Sequence, residues 1–148
     1  MNIFQAAPDT MKAMLAVEAS FENSGLEHSL VELVKLRASQ INGCAFCIHM
    51  HVRDALKHGE SDMRIHLLDA WRESPSFTDR ERAALNWTET LTRIGKTHAP
   101  DADYERLKAH FDDKEIGYLT AAIAAINFWN IVQISLRAVH PVEQVAAA

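Results

Sequence analysis

Several things are scarce in this chain, and each scarcity excludes something. Two cysteines in 148 residues cannot staple a small secreted scaffold. Fifteen Lys and Arg against twenty Asp and Glu leave a formal net charge of -5. That balance offers no concentrated basic surface for a phosphate backbone or an acidic bilayer, so neither a nucleic-acid nor a membrane partner is expected. The N-terminal stretch lacks the basic start and apolar core of an export signal, and no apolar run is read as approaching the ~20 residues that span a bilayer. The expected compartment is the cytoplasm, where a purely structural disulfide is out of place and a cysteine pair is better read as redox-active or metal-binding.

What is present is ordinary globular material, 48% apolar and 24% charged, enough for one domain over residues 1–148. Apolar spacing is helical almost throughout, with no period-two strand, no internal repeat and no low-complexity tract. The fold class is therefore all-α, a compact bundle of about six to seven helices. The first is expected from about Pro8 to the Asn23-Ser24-Gly25 break, and the second from about Glu27 to Ile41, with Leu30, Leu33, Val34 and Ile41 as its apolar stripe. Asn42-Gly43, a pair that tolerates left-handed geometry, ends it. The third runs from near Cys44 to Gly59. Ser61 is expected to cap a fourth, Thr78 with Glu81 to form the capping box of a fifth, and Asp101 to cap a short sixth. The last starts after Asp112, with Glu115 completing its box, and runs to about Ala138; Ala146-Ala147-Ala148 is expected to fray. Its middle, TAAIAAINFWNIVQISL, is apolar on most faces and belongs in a core or a subunit interface, which predicts a closed homo-oligomer.

Chemistry concentrates in ELVKLRASQINGCAFCIHMHVRDALKHG, residues 32–59, which holds both cysteines. At the start of the third helix, Cys44 and Cys47 lie one turn apart on one face, where unpaired N–H groups and the helix dipole favour thiolate. His51 follows Cys47 by four residues and returns to the same face, within reach for proton transfer. Glu32, on the preceding helix, is brought alongside by the tight Asn42-Gly43 connection and can fix the tautomer of His51. Two physical arguments disagree over which sulfur attacks: closeness to the helix start favours Cys44, and closeness to the base favours Cys47. The second is the stronger for any attack whose leaving group needs a proton, because a dipole cannot deliver one. Two other readings stay open beside this one. Two small hydrophobic residues one turn apart can be plain packing. Cys44, Cys47 and His51 can also supply three zinc ligands, although His49 points to another face and no second Cys pair exists.

Glu32, Leu36-Arg37, Ser39, Asn42, Cys44, Cys47 and His51, read as a spaced set, resemble the core motif of the alkylhydroperoxidase D family within the carboxymuconolactone decarboxylase-like superfamily. FTDRERAALNWTETLT and AAINFWN, with Asn127, Trp129 and Asn130, are similar to the family too. The resemblance implies an all-helical oligomer (trimer, dimer or hexamer) without a cofactor or metal. Its CxxC pair would reduce organic hydroperoxides as a thiol-dependent peroxidase or disulfide reductase. It implies Cys47 as the peroxide-attacking thiol, Cys44 as the resolving, reductant-facing one, and Glu32 and His51 as the proton relay. The reductant would be a dithiol, lipoyl-carrying or thioredoxin-like. Phe46 departs from the pattern, standing where some members carry a histidine, which implies a shorter relay and lower turnover. Decarboxylases of the superfamily lack the Cys pair, which speaks against lactone decarboxylation. A redox-sensing, partner-binding domain and an acid-base lyase on Glu32 and His51 remain the alternatives. Asn127 and Asn130 are read equally as cavity-lining or as satisfied core residues. Arg37 is expected to steady Glu32 or face solvent. His28, His58, His66, His98, His110 and His140 are read as solvated or end-of-helix residues, and Trp71, Trp87 and Trp129 as core.

Overall fold

The computed structural model describes residues 1–142; the Ala146–Ala148 terminus lies outside them. The described residues form nine helices and no strand. The chain passes through α1 (Ile3–Ala6) and α2 (Pro8–Ser20) into a short 3-10 turn, then α3 (His28–Asn42) and α4 (Ala45–Lys57). There follow α5 (Asp62–Leu67), a second 3-10 turn, α6 (Asp79–Thr92), α7 (Ile94–Thr97), α8 (Asp101–Lys108) and α9 (Asp113–Ser135). The count exceeds the expected six to seven because α1 and α7 are single turns, too short to show a period.

Helix α3 is the centre, packed against α4, α6 and α9. Its Leu30 and Val34 join Trp87, Leu107, Leu119 and Ile123 in one part of the core. Leu33 and Leu36 join Leu68, Trp71, Phe77 and Leu85 in another. Every residue from Leu30 to Ser39 is buried, so over that span α3 has no solvent face, and the single stripe expected of it is one side of a segment enclosed all round. Its polar residues must therefore find partners inside. Arg37, only 6% exposed, neither steadies Glu32 nor faces solvent. It donates through Nε to Glu89 at 2.9 Å and also pairs with Asp69. Glu89 accepts as well from the Trp71 indole at 2.9 Å and from Arg72 at 3.0 Å.

Both expected capping boxes form, Thr78 with Glu81 and Asp112 with Glu115. Each box glutamate also holds an arginine, Arg64 on Glu81 and Arg80 on Glu115, both at 2.6 Å. Two caps differ from expectation. Asp101 is the first residue of α8, behind Pro100 at the cap position, because proline already supplies the extended backbone that a cap requires. Ser61 occupies its cap position without a side-chain bond; the Ser61 N–H is instead held by Glu60. Helix α9 stops at Ser135, short of Ala138, and Arg137 beyond it takes a left-handed φ of 60°. At 23 residues α9 is also long and apolar enough, by length and composition, to cross a bilayer, against the reading that no such run exists. Packing on α3 and α6 accounts for its Ile116, Leu119, Ile123 and Ile126. Its other side leaves Ile131 68% and Ile134 41% exposed.

The Glu89 hub gives a stability test. Burial raises its carboxyl, but hydrogen bonds from Trp71 and Arg72 and the charge of Arg37 outweigh that and hold it below the usual carboxylate range. Glu89→Gln leaves the buried Arg37 guanidinium short of a counter-charge and should cost about 3 kcal/mol at neutral pH, read from denaturant midpoints. A depressed carboxyl contributes its stability in full above its unfolded value and loses it as pH falls through the folded one. The difference between wild type and variant should therefore narrow below about pH 4.

Candidate active site

The site is built across the turn between α3 and α4. Gly43 takes φ 70° there, ending α3 with its own N–H on Gln40 O and the Cys44 N–H on Ser39 O. No side chain crowds the position where a Cβ would stand, so backbone conformation, not space, calls for glycine. Cys44 then becomes the N-cap of α4, its Sγ accepting the Cys47 N–H at 3.3 Å. The two residues, 5.4 Å apart at Cα, are joined as a disulfide. Each is 1% exposed, packed with Ala38 and Ile126 and flanked by Phe46 and Trp129.

One turn beyond Cys47, His51 is buried and its Nδ1 lies 2.8 Å from Glu32 Oε2. Burial raises the Glu32 carboxyl, but the His51 hydrogen bond and the charges of His51, Lys35 and His28 outweigh it, leaving it below the ordinary range. An ionised carboxylate only accepts, so Nδ1 carries a proton, and in the neutral imidazole Nε2 is then the nitrogen with the free lone pair. That Nε2 is buried with no hydrogen-bond partner. His51 and Cys47 line one cavity of about 420 Å³, whose walls include Phe4, Leu15, Met50 and Trp129. Cys44 does not line it. It opens onto a separate cavity of about 230 Å³ with Gly43, Gln133, Arg137 and Ala138. Phe46 borders both, together with Gln133, and the two side chains form the partition between the two sulfurs' surroundings.

Three participants escaped the sequence. Glu18 of α2 accepts from Lys35 Nζ at 2.5 Å and from the Trp129 indole at 2.8 Å, and all three side chains line the Cys47 cavity. Lys35 had a readable signal, one turn after Glu32 on the same helix. Trp129 stood within the AAINFWN segment that resembles the family, but nothing placed it in the cavity wall, and Glu18 had no signal, since only the tertiary fold brings it there. Trp129, expected in the core, is a cavity wall. Asn127 and Asn130 take the core alternative: Asn42 donates to both at 2.8 Å, and Asn130 donates to Ser39 at 3.0 Å. These bonds fix the C-terminal end of α3 to α9, and with it the position of the turn. His49 turns away from the pair and stacks on His140 at 5.0 Å. Among the described residues no group of three or more His, Cys, Asp or Glu is placed to hold a metal ion.

Comparison with known proteins places the chain in company. The sequence pattern of the carboxymuconolactone decarboxylase family matches residues 7–90. The chain is 39% identical over 136 residues to the uncharacterized protein YdfG of Bacillus subtilis, covering 92% of each. It is 36% identical over 107 residues to the uncharacterized protein YnjA of Escherichia coli, covering 72% of this chain and 58% of that one. A crystal structure of a protein of unknown function from Agrobacterium tumefaciens, described as a candidate antioxidant defence protein AhpD, superposes with a TM-score of 0.93. Their identity is 49%, over 97% of this chain and 98% of that one.

The bonded cysteines make a direct prediction. After peroxide treatment, the peptide spanning Cys44 and Cys47 should be lighter by two hydrogens and regain them with dithiothreitol. Mass spectrometry checks it, and a stable sulfinic acid on either sulfur would remove the resolving partner.

Proposed function

The chain belongs to the carboxymuconolactone decarboxylase family, in its AhpD-like branch, and from that premise we propose that it is a thiol-dependent peroxidase acting on organic hydroperoxides. The observation that carries the reading is the unpartnered, buried Nε2 of His51, lining the same largely apolar cavity as Cys47 with Glu32 behind it. In the reduced protein His51 Nε2 takes the Cys47 thiol proton. The thiolate attacks one peroxide oxygen: an S–O bond forms, the O–O bond breaks, and the alkoxide leaves with the proton from His51. Cys44 then attacks the Cys47 sulfenic acid. The S–S bond forms, the S–O bond breaks, and the oxygen departs as water once protonated.

The apolar rim formed by Phe4, Leu15, Met50 and Trp129 suits an alkyl tail. The separate opening at Cys44 suits a dithiol donor, lipoyl-carrying or thioredoxin-like, that attacks from the side the peroxide does not occupy. Phe46, as part of the partition, leaves the relay with the single imidazole of His51 between Cys47 and Glu32. The exposed Ile131 and Ile134 on α9, with Leu15 and Val17 on α2, support a closed homo-oligomer that covers them.

In single-turnover mixing, Cys47→Ser should not react with cumene hydroperoxide, whereas Cys44→Ser should consume about one equivalent and stop as a sulfenic acid or mixed disulfide. His51→Ala and Glu32→Ala should slow the first step by about 10²-fold or more with the fold intact. Cys44→Ser unreactive and Cys47→Ser reacting once would reverse the assignment. Activity that survives loss of both cysteines would point to acid-base chemistry on Glu32 and His51 instead. Light scattering at micromolar concentration should give a multiple of the chain mass, and a monomer would remove the oligomer.

A further inference from the structure

Glu32 lines two cavities. One oxygen, Oε2, holds His51 in the Cys47 cavity. The other, Oε1, lies 3.9 Å from Nε2 of His28, in a second cavity of about 330 Å³ lined also by Ser29, Ala55, His58 and Glu60. The His28 ring lies against the His58 ring, centroids 4.3 Å apart. His58 donates Nδ1–H to the Asp54 carbonyl at 2.8 Å, which leaves its Nε2 free to take and give a proton. His28 has a side chain 57% exposed and free of any hydrogen bond to Glu32 at 3.9 Å, so a proton crosses that step only when the ring moves closer or a water bridges it. A file of proton-carrying groups thus leads from the buried imidazole toward water: His51 hydrogen-bonded to Glu32, then His28 and His58 in close approach. Two charged neighbours of the file are engaged elsewhere. Lys35 is tied to Glu18, and Glu60 is tied to Arg64.

We infer that His28 and His58 form the solvent terminus of the Glu32–His51 relay, a rear port through which His51 exchanges protons while the Cys47 cavity is filled by substrate. The role rests on the peroxidase reading, and proton balance explains the need. When Cys44 attacks the Cys47 sulfenic acid, a hydroxide leaves on the Cys47 side of Phe46 and must be protonated there. The proton shed by the Cys44 thiol appears in the other cavity, on the far side of the partition. One proton therefore leaves beside Cys44 while one must enter beside His51. An alkyl group in the front cavity bars the direct route, and the path behind Glu32 stays open. No external oxidant or reductant beyond the hydroperoxide is required. His28 and His58 act through Glu32 and are positioning residues, not members of the reacting set.

The test does not depend on peroxide turnover. In protein labelled with ¹⁵N-histidine, the His51 Nδ1 proton held by Glu32 should exchange with water in wild type and about tenfold or more slowly in H28Q/H58Q. Added imidazole, small enough for the 330 Å³ cavity, should restore the exchange in a saturable manner. The single variants H28Q and H58Q should fall between, and H110Q, elsewhere on the surface, should match wild type. In the second arm, disulfide formation after peroxide addition should slow in H28Q/H58Q and recover with imidazole between about pH 5 and 8. Exchange unchanged in the double variant, or slowed without imidazole rescue, overturns the port. Wild type that exchanges through the port but leaves cumene hydroperoxide untouched overturns the peroxidase reading instead.

Discussion

Water cannot reach a helix enclosed on every side, so each polar side chain on it must be answered by another element. Helix α3 carries Glu32, Lys35, Arg37 and Ser39 among its buried residues, and the answers organise the molecule. Arg37 draws in α6 through Glu89, Lys35 draws in α2 through Glu18, and Ser39 draws in α9 through Asn130. Glu32 draws in α4 through His51. The bonds of Arg37 and Ser39 are scaffold, that of Lys35 also walls the Cys47 cavity, and that of Glu32 is the centre of the proposed site. The catalytic reading thus grows from the same constraint that closes the core. A buried carboxylate must be matched, and matching it with an imidazole rather than an arginine leaves one nitrogen to spare.

That spare nitrogen gains direction from the turn at Gly43. A left-handed residue between α3 and α4 reverses the chain within one position, so Glu32 and His51 meet although nineteen residues separate them. The same turn makes Cys44 the cap of α4 and leaves Cys47 one turn inside it. With Phe46 between the cavities, the two sulfurs bonded to each other face different surroundings. In the proposed reaction, spatial division of that kind would let one sulfur meet an apolar substrate while the other meets a dithiol donor.

How far the sequence reveals this depends on the range of the interaction concerned. Thr78 with Glu81 and Asp112 with Glu115 are legible because a capping box is a contact between residues three apart. Cys44, Cys47 and His51 are legible for the same reason, lying on one face of one helix. Glu32 needs only the short Asn42-Gly43 connection. Helices α1 and α7 are not legible, since four residues display no period. The inward turn of Arg37 and Lys35 is not legible either. Both residue types are ordinarily exposed, and their acidic partners lie on other elements, Glu89 on α6 and Glu18 on α2. Glu18 carries no local mark of the role it plays in the cavity wall. The length and apolarity of α9, by contrast, are legible, and only its end is placed late, at Ala138 rather than Ser135.

The Glu18 clip carries a consequence for how such a chain can drift. Three positions far apart in the sequence, 18, 35 and 129, share one carboxylate. Losing Glu18 strands the buried Lys35 ammonium, and losing Lys35 leaves the carboxylate held by an indole alone. Each single replacement is therefore worse than the pair together, a sign epistasis imposed by burial. Lineages should hold all three residues for long periods and then exchange them in quick succession. Because they wall the Cys47 cavity, each such exchange would reshape what the cavity admits without touching either cysteine.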